Sequence, residues 1–213
     1  MQLTFLLYPG IEPIDLAPLG VFSMGKRVVP ELSYRTAAPT PNVLVELSNG
    51  LKVMPDISFG EIEDMDVLLV PGGPGWTEAA NDPQVIDFIR RWASGATICS
   101  VCTGAMILAA AGVLDGMAAT TKKLVIPPEP SVMEELKQRY PRVSATEALL
   151  VDNKSVITGG GVTLCIDTAL YLIASRYGEE AADEIARIME YGAARKANAE
   201  RMPLVVSDTS TPA

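Results

Sequence analysis

The run Ala96-Thr97-Ile98-Cys99-Ser100-Val101-Cys102-Thr103-Gly104-Ala105 decides the fold, because an apolar β-like segment ends abruptly in Cys-Thr-Gly and continues as an Ala- and Leu-rich helix. Strand, sharp turn and helix in that order describe a nucleophile elbow. Such a turn exposes one side chain at a helix N-terminus, where backbone N–H groups favour an anion. For Cys102 the setting favours the thiolate, the nucleophilic form. The same letters also suit an ordinary buried cysteine at a strand end.

Upstream, Asp82-Pro83 makes an N-cap and first turn for a helix through Trp92, with Val85, Ile86, Phe88 and Ile89 at helical spacing. Before it, Asp66 to Val70 reads as a continuous apolar strand emptying into Pro71-Gly72-Gly73-Pro74-Gly75. That loop either lets its backbone approach a ligand closely or merely turns the chain. Leu3 to Leu7 is a buried strand ending at Tyr8-Pro9-Gly10, and a helix over Leu19 to Val29 follows, which puts Asp15 near the carboxyl edge of the first strand. Glu31 to Ala38 and Val43 to Leu47 read as strands, the second turning at Ser48-Asn49-Gly50 in a small β excursion.

Downstream, a helix over Gly104 to Ala111 closes at Gly112, and Met117 to Thr121 suggests a short strand. Pro127-Pro128-Glu129-Pro130 reads as a surface insertion before a polar helix from Ser131 to Tyr140. Strands over Ala145 to Val151 and Ser155 to Thr158 lead to Gly159-Gly160-Gly161-Val162, a helix over Thr163 to Arg176 and a last helix over Glu179 to Tyr191. From Arg195 onward the chain is polar and loses its pattern. Buried strands alternating with helices predict a mostly parallel sheet covered on both faces, with ligands beyond the carboxyl ends of the strands. Asp15, Gly72-Gly73, Cys102-Thr103 and Gly160-Gly161-Val162 converge there, which favours the functional reading of Cys102.

At 213 residues, 48% hydrophobic and 20% charged, the chain suits one globular domain, taken as residues 1–195 with a tail over 196–213. A formal charge of −9 argues against nucleic acid as a partner, since that binding needs clustered Lys and Arg. No apolar run reaches membrane-spanning length, and the start lacks the pattern of a signal peptide, so no membrane partner and a cytoplasmic location are expected. Three cysteines, an odd number, fit a reducing compartment. There is no histidine, which removes every Ser-His-Asp or Cys-His mechanism within the chain; neither a metal site nor a cofactor is expected.

On this reading Cys102 is the nucleophile, with amides of Thr103 and of the Gly72-Gly73 loop available as oxyanion donors. Asp15, between Ile14 and Leu16, is the best acid/base candidate because partly apolar surroundings raise a carboxyl pKa; it also suits a helix N-cap. The Thr103 hydroxyl either orients a water or substrate, or caps the helix. Cys99 lies inside the strand and so makes a poor redox partner for Cys102, and Cys165 reads as core.

Ser100-Val101-Cys102-Thr103-Gly104, Pro71-Gly72-Gly73, Ile14-Asp15-Leu16 and Ile157-Thr158-Gly159-Gly160-Gly161-Val162 with Ile166-Asp167 together resemble the ThiJ/PfpI superfamily, and most of all its isocyanide hydratase branch. The likeness runs from residue 1 to about Tyr191. It implies a flavodoxin-like, class I glutamine amidotransferase-like three-layer α/β sandwich, a homodimer, and hydration of a small isocyanide to an N-substituted formamide. By position it assigns Cys102 as nucleophile, Asp15 as the carboxyl that protonates the adduct and activates water, and Thr103 as the neighbouring hydroxyl. Amides at Gly73 and Val162, with Gly72 and Gly161 beside them, would surround sulfur and substrate.

Related proteases carry a histidine directly after the elbow cysteine; Thr103 stands there instead and counts against a peptidase. Hydratase-like relatives carry a histidine and an aromatic residue where this chain has Lys122-Lys123, so a glyoxalase- or deglycase-like activity on small carbonyls is an alternative. A third is an oxidation or ligand sensor, as in relatives fused to helix-turn-helix segments; no such segment is read in this sequence, so sensing would act through a partner.

Overall fold

The computed structural model describes residues 1–207. Its strands are β1 (Gln2–Leu6), β2 (Ser33–Ala38), β3 (Val45–Glu46), β4 (Lys52–Val53), β5 (Ile57–Ser58), β6 (Val67–Val70), β7 (Thr97–Ser100), β8 (Ala118–Ala119), β9 (Ser144–Ala145), β10 (Leu150–Asp152), β11 (Val156–Gly159) and β12 (Leu204–Val206). The helices are α1 (Ala17–Gly25), α2 (Trp76–Ala79), α3 (Pro83–Trp92), α4 (Gly104–Ala110), α5 (Val132–Arg139), α6 (Leu164–Tyr177), α7 (Glu179–Ile188) and α8 (Gly192–Arg201).

Eight strands form one sheet in the order β12-β10-β11-β7-β6-β1-β2-β5. From β11 through β5 every neighbour is parallel, while β10 runs antiparallel to β11 and carries β12 parallel to itself. Leu3, Phe5 and Leu6 of β1 and all four residues of β6 are buried, without alternation, because helices cover both faces of the sheet. Helices α1, α6 and α7 pack together on one face, and α2 and α3 pack against α4 on the other. The result is a flavodoxin-like α/β sandwich.

Chain order reverses at β1, which is flanked by β2 on one side and β6 on the other. A reversal of this kind opens a crevice beyond the carboxyl ends of the strands. The loops leaving β1, β6, β7 and β11 all meet there.

Local sequence accounts for several boundaries. The Asp82 side chain accepts from the Gln84 N–H at 2.9 Å and Pro83 opens α3, a cap of about 1 kcal/mol. Strand β2 joins the main sheet beside β1, and only β3 and β4 form the hairpin across Ser48-Asn49-Gly50. The expected strand over Met117 to Thr121 shrinks to β8, which pairs with β9 outside the main sheet.

The largest departure is at the chain end, where α8 and β12 stand in the stretch read as pattern-free. Helix α8 carries no apolar side chain larger than alanine and buries only Asn198. Arg195 holds it by ion pairs to Glu179, at 2.7 Å, and to Asp183. A helix fastened by polar contacts leaves no apolar stripe for periodicity to find. Of the tail taken as 196–213, residues 208–213 lie outside the described residues.

Candidate active site

Cys102 sits between β7 and α4 with φ +55, a left-handed conformation that costs a non-glycine residue roughly 1–3 kcal/mol. The surroundings hold it in place. Its N–H donates to the Gly160 carbonyl at 3.1 Å, and the Cys102 carbonyl accepts from Thr121 Oγ1 at 2.8 Å. The turn thereby lifts the sulfur off the end of the sheet, as the elbow reading expected. The residue is only 2% exposed.

Gly72 explains how β6 reaches this point: a Cβ there would lie 2.4 Å from the Thr103 nitrogen and 2.9 Å from Cys102 Cβ. Only glycine allows the loop to lie against the elbow. The Gly72 N–H donates to Asp15 Oδ2 at 2.7 Å, across 57 residues of sequence. Asp15 belongs to a turn of 3-10 helix over Pro13–Leu16 and makes no cap to α1, so the N-cap alternative is overturned.

Asp15 is fully buried, and its Oδ1 has no hydrogen-bond partner. Burial raises its pKa to about 7, helped by the charge of Glu12 and opposed by the Gly72 N–H and the Cys102 side chain. Near neutrality this carboxyl is therefore able both to hold and to release a proton. Tyr8, also buried, donates to the Pro71 carbonyl at 2.9 Å and is pushed upward by burial and by the neighbouring Asp15 and Cys102 charges.

Two expectations change. The Gly72 N–H is engaged by Asp15, and the Gly73 N–H donates to Thr103 Oγ1 at 2.8 Å, so neither points freely at a substrate. The loop holds the acid and the threonine in place, and the Thr103 hydroxyl contacts the Gly73 carbonyl at 3.3 Å without capping α4. Second, the Cys102 thiol is pushed up, chiefly by burial and then by the Asp15 charge, against the Thr103 N–H and the charge of Lys122. A helix N-terminus alone does not overcome desolvation and a facing carboxylate. With a proton on Asp15, the second of those obstacles disappears.

A cavity of about 400 Å³ opens over the sulfur, lined among others by Gly73, Trp76, Cys102, Thr103, Lys122 and Val162. A Cβ at Gly161 would lie 3.0 Å from Cys102 Sγ. Cys99 and Cys165 are fully buried in β7 and α6, and burial raises both thiols. Among the described residues no cluster of three or more carboxylates and cysteines is placed to hold a metal ion, and no helix is long and apolar enough to cross a membrane.

Sequence reasoning missed Tyr8 and Thr121 as members of the site. In sequence Tyr8 belongs to a turn, and its contact with Pro71 depends on β1 and β6 being neighbours. Thr121 stands in sequence as a strand end. Lys122 stands out in sequence only as a departure from a family pattern, and its place in the cavity wall depends on the fold.

Residues 2–175 match the DJ-1/PfpI family. Isonitrile hydratase of Pseudomonas putida is 33% identical over 196 residues, spanning 91% of this chain and 80% of that protein. The HTH-type transcriptional regulator GbdR of Pseudomonas aeruginosa is 27% identical over 158 residues, 74% of this chain and 41% of the regulator. Among solved structures, a ThiJ/PfpI family protein from Pseudomonas syringae superposes with a TM-score of 0.73 at 27% identity, covering 93% of this chain and 84% of its own. A mutant of a DJ-1 superfamily protein from Salmonella typhimurium gives 0.74 at 25% identity, covering 89% and 98%.

Proposed function

The chain belongs to the DJ-1/PfpI family, and on that footing we propose that it is a cysteine-dependent hydratase that converts small isocyanides, also called isonitriles, into N-substituted formamides. The observation that carries this reading is a buried carboxyl, Asp15, with a pKa of about 7 beside the elbow cysteine in a chain without histidine. Isocyanide hydration asks for one nucleophile and one group that gives and takes protons.

In the first step Asp15 takes the proton of the Cys102 thiol, the thiolate attacks the terminal carbon of R–N≡C to form a C–S bond, and Asp15 delivers that proton to the same carbon. The product is a thioimidate, R–N=CH–S–Cys102, facing an ionised Asp15. Water then adds its oxygen to the same carbon, and Asp15 passes the water's proton to nitrogen. Collapse breaks the C–S bond, the hydroxyl proton returns to Asp15, and R–NH–CHO leaves a thiolate behind. Atoms and protons balance to one isocyanide and one water per formamide.

The cavity supports a small-molecule substrate with an apolar substituent, which Trp76 and Val162 would line. We place the enzyme in the cytoplasm, where its three free thiols remain reduced. We also assign it a homodimer, supported by a half-exposed apolar strip, Val43, Leu44, Leu51 and Met54, along the β3–β4 hairpin.

The test is a parallel assay of purified protein with an aryl isocyanide and with methylglyoxal. Formamide should form from the first, and Cys102→Ala should lose at least about a hundredfold in rate. Turnover of methylglyoxal alone would move the protein to the carbonyl-processing alternative. The likeness to GbdR favours a sensing role as the second reading. Selective oxidation of Cys102 by mild peroxide with no turnover of either compound would support it.

A further inference from the structure

Lys122 stands at the wall of the Cys102 cavity and is the one cation among the described residues lining it. Its backbone is tied to the elbow through the preceding residue, since Thr121 Oγ1 donates to the Cys102 carbonyl at 2.8 Å. A Cβ placed on Gly161 would meet Cys102 Sγ at 3.0 Å and Lys122 Cβ also at 3.0 Å. The base of the lysine and the sulfur thus flank one glycine. From there the side chain, 23% exposed, reaches Glu129, with Nζ 3.6 Å from Oε2.

The charged and titratable groups around the sulfur can be named element by element. Tyr8 and Asp15 come from the segment after β1, with Glu12 between them, and Cys165 comes from α6. Glu129 lies in the segment before α5, and Glu135 of α5 is paired with Arg139 at 3.2 Å. Every one of these facing the cavity is neutral or acidic. Among these charged side chains Lys122 alone favours negative charge on the sulfur, acting with the Thr103 N–H against burial and Asp15.

We propose that Lys122 is a positioning residue for the reactive sulfur, its positive charge divided between Cys102 and Glu129. The inference rests on Cys102 being the nucleophile of the proposed function. A cation shared between two anions supports each less than it would support one alone. Removing the lysine therefore weakens the thiolate, whereas neutralising Glu129 frees the lysine to support it more. A purely structural ion pair would respond in the same direction to loss of either partner.

The experiment measures the rate of Cys102 alkylation by iodoacetamide as a function of pH, followed by mass spectrometry. Alkylation forms an S–C bond and releases iodide, so it reports the thiolate without any isocyanide. Lys122→Met should slow it at pH 7 roughly threefold to tenfold and move the midpoint up. Lys122→Arg should restore most of the rate, and Glu129→Gln should quicken it by roughly threefold and move the midpoint down. Unmodified Cys99 and Cys165 report that each variant is folded.

Slowing by both Lys122→Met and Glu129→Gln, or unmoved midpoints in both, would overturn the inference. Opposite shifts without formamide from any isocyanide would leave it standing and retire the hydratase reading. Formamide production with same-direction shifts would retire the inference alone.

Discussion

Asp15 and Asp167 are two carboxyls taken out of water in one sheet-and-helix frame, and burial raises the proton affinity of both. Each leaves Oδ1 without a hydrogen-bond partner. Their neighbours differ. Asp167 Oδ2 accepts from the Tyr191 hydroxyl at 2.7 Å and from Asn198 Nδ2 at 2.9 Å, with Arg195 near enough to favour the charged form. It fastens α8 to α6. Asp15 accepts one backbone N–H and otherwise faces the Cys102 thiol, whose sulfur opens into the cavity, and the charge of Glu12. Burial makes a carboxyl willing to hold a proton; only a reacting neighbour turns that proton to chemical use.

The sharpest way to break this contrast is Asp15→Asn, which keeps the shape and removes the proton carrier. Isocyanide turnover should fall by roughly 10²–10⁴, while Asp167→Asn should leave kcat/KM within about twofold of wild type, since Asp167 touches no reacting group. Comparable losses in both variants would erase the distinction.

The next effect is on stability. The Asp15 pKa of about 7 lies above its ordinary 3.8. The stability it contributes is therefore fully present below pH 3.8 and is lost as pH rises through 7, by up to roughly 4 kcal/mol. Urea unfolding at pH 5 and pH 8 should show a steeper decline in wild type than in Asp15→Asn; equal declines would contradict the assigned environment.

Asp167→Ala should cost roughly 1–3 kcal/mol, because Tyr191 and Asn198 lose their acceptor. Hydrogen exchange should show the loss first in α8. The smallest effect concerns the other strand-end thiol: Cys99→Ala, fully buried in β7, should cost about 1 kcal/mol and leave turnover unchanged. A dithiol role for Cys99 would show instead as lost activity.

The elbow was legible because it is local: an apolar run, Cys-Thr-Gly and a small-residue helix lie within ten residues. The site as a meeting of four loops was legible too, since parallel strands deliver their carboxyl ends to one side. What each group does depends on pairings that no window contains. Asp15 is the best acid/base candidate in sequence with capping as the alternative, and the choice between them depends on Gly72, 57 residues away, whose N–H it accepts. The thiol's direction was misjudged because the helix N-terminus is visible in sequence whereas desolvation and a facing carboxylate are not. Helix α8 escaped notice for a related reason, being held by Arg195 and Asn198 and not by an apolar face.

The most direct measurement is rapid-quench mass spectrometry of the Cys102 peptide during turnover of an aryl isocyanide. The Cys-Asp account predicts a transient adduct on Cys102 heavier by one isocyanide, appearing before formamide and decaying as formamide forms. Formamide accumulating at full rate with Cys102 unmodified throughout would contradict it.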